Sequence, residues 1–274
     1  MKRNFQRASQ KIRPAAVAGG FYPANPAELR LMIEGFLHEV KSSSAPAPKA
    51  VIAPHAGYVY SGPIAASAYA RFIPARDVIK RVVLLGPSHY VAFHGLATTS
   101  VETWATPLGA VPVDTEAVRH ITSLPQAKVL DEAHAREHSL EVHLPFLQTV
   151  LGEFKIVPLV VGEAEDREVA QVIETLWDGD KTRFVISSDL SHYYDYASAR
   201  ELDAATAQAI ERLRPQDIGR EQACGRMPIC GLLRAAKTHG LRVETVDLRN
   251  SGDTAGPRSE VVGYGAWAFN EATA

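Results

Sequence analysis

Short runs of consecutive Val, Ile and Leu constrain this chain more than any other feature: AVIAP (50–54), RVVLLGP (81–87), FKIVPLVVG (154–162), RFVISSD (183–189), LRVETVDL (241–248) and VVGYGAWAF (261–269). A strand with one wet face alternates apolar with polar residues, so most of these runs call for cover on both faces. Helical patterns lie between several of them. NPAELRLMIEGFLHEV offers Asn25 as N-cap, Pro26 at the first helical position, and Leu29, Ile33, Phe36 and Leu37 on one face. IAASAYARF, HSLEVHLPFLQTVL, DREVAQVIETLW and a stretch from about 198 to 212 read the same way. Buried strands alternating with helices predict an α/β fold, a mostly parallel or mixed central sheet covered by helices on both faces. GLATTS and GAVPVD are expected to add a hairpin at one edge. With 274 residues and 46% hydrophobic content, one domain spanning 1–274 is expected, residues 1–12 being flexible. The Ser/Pro/Ala connector 41–49 is too short to divide it.

A formal net charge of -2 provides no basic stripe for nucleic acid and no polybasic patch for a membrane. No apolar stretch approaches the roughly 20 residues needed to span a bilayer, and the basic start lacks the apolar core of a signal peptide. The expected location is cytoplasmic, and the expected partner a small molecule or a peptide. Cys224 and Cys230 are too few for a disulfide framework and are not spaced as C-x-x-C.

In open α/β sheets, ligands bind at the carboxyl ends of the strands. His55, His89 and His192 each follow a strand run at that end, with Gly86 and Pro87 turning the chain before His89. Imidazole is both the commonest ligand for divalent transition metals and a proton shuttle near neutral pH. Each histidine taken singly could equally be a hydrogen-bonded core residue. Asp189 either orients the His192 ring or caps a following helix. Cys224 precedes a helix start beside Arg226, a setting that would lower its pKa and suit a metal ligand or nucleophile; otherwise it packs as a small hydrophobe. In DEAHAREHSLEVHLPFL, a helix would place His134, His138 and Glu141 on one face, as well as Glu137 with Glu141. That segment reads either as a helix with one polar face or as a source of Glu141 and His143 for the cleft wall. The zinc-peptidase order H-E-x-x-H is absent, as are G-x-S-x-G, the Walker lysine motif and G-x-G-x-x-G.

APHAGYVYSG, LGPSHY, EHSLEVHLPFL, SSDLSHY and CGRMPICG occur in the order found in the MEMO family, whose prokaryotic members are called AmmeMemoRadiSam system protein B. GGFYPANP and the last strand also fit, so the resemblance covers about residues 12 to 270. It implies a fold similar to the class III (LigB-type) extradiol dioxygenases, which hold Fe(II) with two histidines and a glutamate. By that resemblance His55 and His89 are metal ligands, Cys224 stands at the third ligand position, and His192 is the acid–base residue; Asp189 joins it as a catalytic candidate on the residue reading alone. The implied cofactor is a divalent transition metal, Fe(II) first, with copper or zinc as alternatives because a thiolate replaces a carboxylate. The implied activity is that of a non-haem metal-dependent oxidoreductase, or alternatively of a metal-binding scaffold with a vestigial site. The family name associates such proteins with an AMMECR1-like protein and a radical SAM enzyme.

Overall fold

The computed structural model describes residues 11–41 and 43–271. In chain order the first half contains β1 (Ile12–Arg13), α1 (Pro26–Glu39), β2 (Ala50–Ala53), α2 (Tyr58–Tyr69), β3 (Arg81–Pro87), β4 (Leu96–Thr98), β5 (Thr103–Thr106), β6 (Gly109–Pro112), α3 (Thr115–Ile121), β7 (Ala127–Val129) and α4 (Asp131–Ala135). The second half contains α5 (Leu144–Val150), β8 (Lys155–Val161), α6 (Asp166–Thr175), β9 (Thr182–Ser187), β10 (His192–Tyr194), α7 (Tyr196–Glu211), α8 (Arg226–Thr238), β11 (Arg242–Asn250) and β12 (Val261–Asn270).

The main sheet runs β10-β12-β2-β9-β3-β8-β4-β7, with β11 also paired to β12. Its centre, β2-β9-β3-β8, is parallel, and antiparallel pairs flank it at β12–β2 and β4–β8. This is the mixed α/β sheet expected. Every residue of β2 and β9 is buried, and in β3 and β8 only the first escapes burial, which is why these strands read as unbroken apolar runs. α2 packs on β2 and β12, whereas α6 and α8 pack on each other and α8 on β3 and β9. Asn25 caps α1 by accepting from Ala27 N and Glu28 N; of the four residues read on its apolar face, Leu29 and Ile33 are buried, and Phe36 and Leu37 are partly buried against the core.

GLATTS and GAVPVD do not form a hairpin with each other. The first contributes β4 to the main sheet, and the second contributes β6 to a separate small sheet, β1-β5-β6. Residues 1–10 of the segment expected to be flexible lie outside the described residues, whereas Ile12 and Arg13 pair in parallel with β5. Gly86 is not a turn residue either. It lies inside β3, where a Cβ would run into Leu140 and Ser139, so its role is to let that loop pack on the strand. Among the described residues no helix is long and apolar enough to cross a membrane.

Candidate metal centre at the carboxyl ends of the strands

Because β2, β3 and β9 are parallel, the segments that follow them leave the same edge of the sheet, and His55, His89 and the 187–192 turn meet there. The imidazoles of His55 and His89 stand 5.1 Å apart, centre to centre, at a steep angle. His55 is buried; its Nδ1 is 2.6 Å from Ser187 Oγ. The Ser187 hydroxyl donates its single proton to Ser139 O at 2.6 Å, so His55 Nδ1–H must be the donor to Ser187 and Nε2 carries the lone pair. That bare Nε2 faces Cys224 Sγ at 3.3 Å.

His89 is set in the same way. Its Nδ1 is 2.8 Å from Glu137 Oε1, and its backbone N–H donates to Glu137 Oε2 at 2.6 Å. Glu137 also accepts from His138 N and Ser139 N. Burial pushes this carboxyl up, but the bonds from the His89 ring, the His89 backbone and Ser139 outweigh it and bring it down to about 2. An ionised carboxylate only accepts, so the His89 ring donates from Nδ1, which leaves Nε2 as its free nitrogen. In His192, Nδ1 lies 2.8 Å from Leu190 O, which again leaves Nε2 as the free nitrogen.

Asp189 departs from both roles read in the sequence. Its Oδ1 accepts the backbone N–H of His55 at 2.8 Å, and its Oδ2 lies 3.9 Å from His55 Nε2. The His192 ring donates to Leu190 O instead, and β10 follows rather than a helix. Burial raises the Asp189 carboxyl above the ordinary carboxylate range. The helix after it, α7, is capped by Asp195.

Cys224 lies just before α8, as read, but its thiol is not activated by Arg226, whose Nε donates to Ile218 O. Burial, followed by the nearby Asp189 charge, pushes the Cys224 thiol up to about 12. Sγ accepts from Asp189 N at 3.2 Å. The thiol also lines a cleft of about 1070 Å³ shared with Pro87, Val161, Glu163, Asp166 and Arg226.

Glu141 and His143 are both buried, and among the described residues their side-chain hydrogen bonds go to groups other than His55, His89 and His138. Glu141 accepts from Arg13 Nη1 at 2.6 Å, Tyr22 OH at 2.6 Å, Ala16 N at 2.8 Å and Val17 N at 3.0 Å, which pins the N-terminal segment. His143 Nδ1 bonds to Tyr69 OH at 2.6 Å, and burial, with His55 next, lowers its pKa to about 3.

The residues that sequence reasoning placed only on a helix face are Glu137 and His138. α4 stops at Ala135, so the helical phase linking His134, His138 and Glu141 is broken. His134 turns inward, 3.1 Å from Ala97 O, while His138 joins His55 and His89. One donor atom from each of these three histidines lies within 4.8 Å of the others. Local signal for this was limited to the Glu-His pair itself.

Bare imidazole nitrogens and a thiol are donors suited to a divalent transition metal, so the residues present fit one. Burial comes first among the causes that lower His55 well below its ordinary pKa, and it lowers His138 too. Both rings are therefore neutral at physiological pH, as ligation requires.

The class defined by these features is an α/β protein with a candidate histidine-rich metal centre at the carboxyl edge of its parallel strands. Within that class, the chain belongs to the Memo-like protein family, whose model matches residues 13–268. It is 37% identical over 268 residues to a MEMO1 family protein of Aquifex aeolicus (strain VF5), covering 93% of this chain and 97% of the relative. A MEMO1 family protein of Archaeoglobus fulgidus is 38% identical over 271 residues, covering 94% and 99%. One from Aeropyrum pernix (strain K1) is 38% identical over 280 residues, covering 93% and 99%.

Proposed function

We propose that this chain is a metal-dependent redox protein in which His55, His89 and Cys224 hold a divalent transition metal, Fe(II) in the first instance, and His192 moves protons. The observation that carries this reading is the shared tautomer. His55 and His89 each have Nδ1–H tied to a fixed oxygen, which leaves Nε2 as the nitrogen available to a metal. His55 presents that nitrogen to the Cys224 thiol. Such outer hydrogen bonds fix ring orientation and raise ligand basicity.

Bound there, the metal supplies a Lewis-acidic and redox-active centre. The protein's own contribution is to hold His55 and His89 rigid, to keep Cys224 in a buried pocket, and to leave His192 Nε2 free to take a proton from a substrate. The adjoining cleft has room for a small molecule or a peptide end. Copper and zinc are the alternative metals, since a thiol is softer than a carboxylate.

A second reading is a cytoplasmic metal-holding or scaffold protein without turnover, acting beside an AMMECR1-like protein and a radical SAM enzyme. The presence of a third imidazole near His55 and His89 favours it, because more protein donors leave fewer open positions.

Elemental analysis of anaerobically purified protein tests the metal. Stoichiometric iron is expected, with its loss in His89→Ala; metal retained at the wild-type level in that variant would defeat the assignment. Capture of a radical SAM enzyme, combined with no turnover under any metal, would favour the scaffold.

A further inference from the structure

His138 differs from its two neighbours in one respect. Among the described residues neither of its ring nitrogens makes a hydrogen bond, and Nδ1 is buried, 3.5 Å from Glu137 Oε1 without bonding to it. Apart from that Glu137 approach, the ring is held by contacts with other rings. It stacks on His89 at 4.5 Å and 23°, tilts against Phe21 at 4.6 Å, and meets the edge of His55 at 5.5 Å. Buried polar atoms in native proteins are paired in the great majority of cases, so an orphaned ring nitrogen calls for a partner that the protein itself does not provide.

The positions of the three rings indicate what that partner is. A donor atom of His138 lies within 4.8 Å of donors on His55 and His89. Ligands bound at roughly 2 Å from one ion lie about 3–4 Å apart, a difference that small ring rotations close. Rotation is available to His138 and denied to the others. His55 is tied to Ser187 and His89 to Glu137 by ring hydrogen bonds, whereas His138 has only the 3.5 Å approach of Glu137 Oε1. Tyr90, about half exposed, lies 6.0 Å from the His138 ring, so the ring stands near the solvent rim.

We propose that His138 is an exchangeable donor to the metal that His55, His89 and Cys224 hold. It occupies a coordination position while the site is idle and rotates away when a substrate or a small anion takes that position. This rests on the metal reading above. It also joins the two functional readings: with His138 bound the site is closed, and with His138 displaced it is open.

The test uses Co(II) as the probe metal, loaded anaerobically into the full chain. Cobalt absorption is intense when four donors surround the ion and weak when more do. Wild type is expected to bind one Co(II) with the intense spectrum and to change that spectrum on titration with azide. His138→Ala is expected to keep one Co(II) per chain with shifted absorption bands as water replaces the imidazole, to return to the wild-type bands when imidazole is added, and to bind azide about tenfold more tightly. His138→Gln serves as the second variant should the alanine variant not fold. Identical spectra and identical azide affinity in wild type and variant would overturn the role of His138 alone. Failure of wild type to take up cobalt would overturn the metal reading and this proposal together, and uptake abolished by His55→Ala supports the former whatever His138 does.

Discussion

Substituting Glu137 by Gln tests the scaffold that aims His89. The carboxylate is 1% exposed and accepts four N–H donors, from the His89 ring, His89 N, His138 N and Ser139 N. An amide of the same shape keeps one accepting oxygen and turns the other into an NH2 that confronts a donor. The size of the loss follows from linkage. The carboxyl is held at about 2 against an ordinary value of 4.5. That difference corresponds to about 3 kcal/mol of stability near neutral pH. A depressed folded pKa gives stability that is fully present above the unfolded value and lost as pH falls through the folded one. The wild-type advantage over Glu137→Gln should therefore be about 3 kcal/mol near pH 7 and shrink steadily from about pH 4.5 towards pH 2. Urea unfolding at several pH values measures it, and thermal unfolding should show a drop of roughly 6 °C in Tm for a chain of this size. A gap under about 1 kcal/mol near pH 7, or one that stays constant into acid, would refute the reasoning.

Other consequences follow from the same contacts. Arg13→Leu or Glu141→Leu alone leaves a buried charge unpaired and should cost about 3–5 kcal/mol each, whereas the double variant should cost less than their sum in a denaturation cycle. Burial holds the Asp203 carboxyl up at about 6 although Ser191 N donates to it at 3.0 Å. A raised folded pKa means stability present below about 3.8 and lost as pH rises through about 6, so Asp203→Asn should exceed wild type by about 2–3 kcal/mol near pH 8 and match it near pH 4. A Cβ on Gly263 would collide with the Asp203 carboxylate, so Gly263→Ala should lose about 2 kcal/mol and recover part of it in combination with Asp203→Ala, as read by thermal unfolding. With its thiol pushed up to about 12, Cys224 in the metal-free protein should react with iodoacetamide far more slowly than a free thiol near pH 8.5. Rapid labelling would contradict the burial described.

The parallel centre of the sheet was legible because burial on both faces leaves β2 wholly apolar and confines the polar residues of β3, β8 and β9 to the strand ends, and that signal is local. His55, His89 and His192 were legible for a related reason: a parallel sheet sends the ends of all its strands to one edge, so residues just beyond the apolar runs are neighbours whatever their separation in sequence. His138 and Glu137 were not legible. A periodic pattern assumes a continuous helix, and nothing in DEAHAREHSLEVH says where that helix stops.

Arg13 braces the segment where it stops. Its Nε donates to His134 O at 2.7 Å and its Nη2 to Glu137 O at 2.8 Å, while the guanidinium lies 4.1 Å over the Trp104 ring. His134 O, which also accepts from Glu137 N, and Glu137 O just beyond α4 thus receive hydrogen bonds from 121 and 124 residues away. Freed from helical phase, Glu137 reaches His89 and His138 reaches His55. The roles of Asp189 and Cys224 were likewise decided by packing, since the turn at 187–189 lies against the start of α8 and burial keeps the thiol protonated rather than activated. Residue order thus determined the sheet, the family and three of the histidines, because burial and strand polarity are written locally. Which groups complete the site depended on a long-range cation and on desolvation, which exist only once the chain has folded.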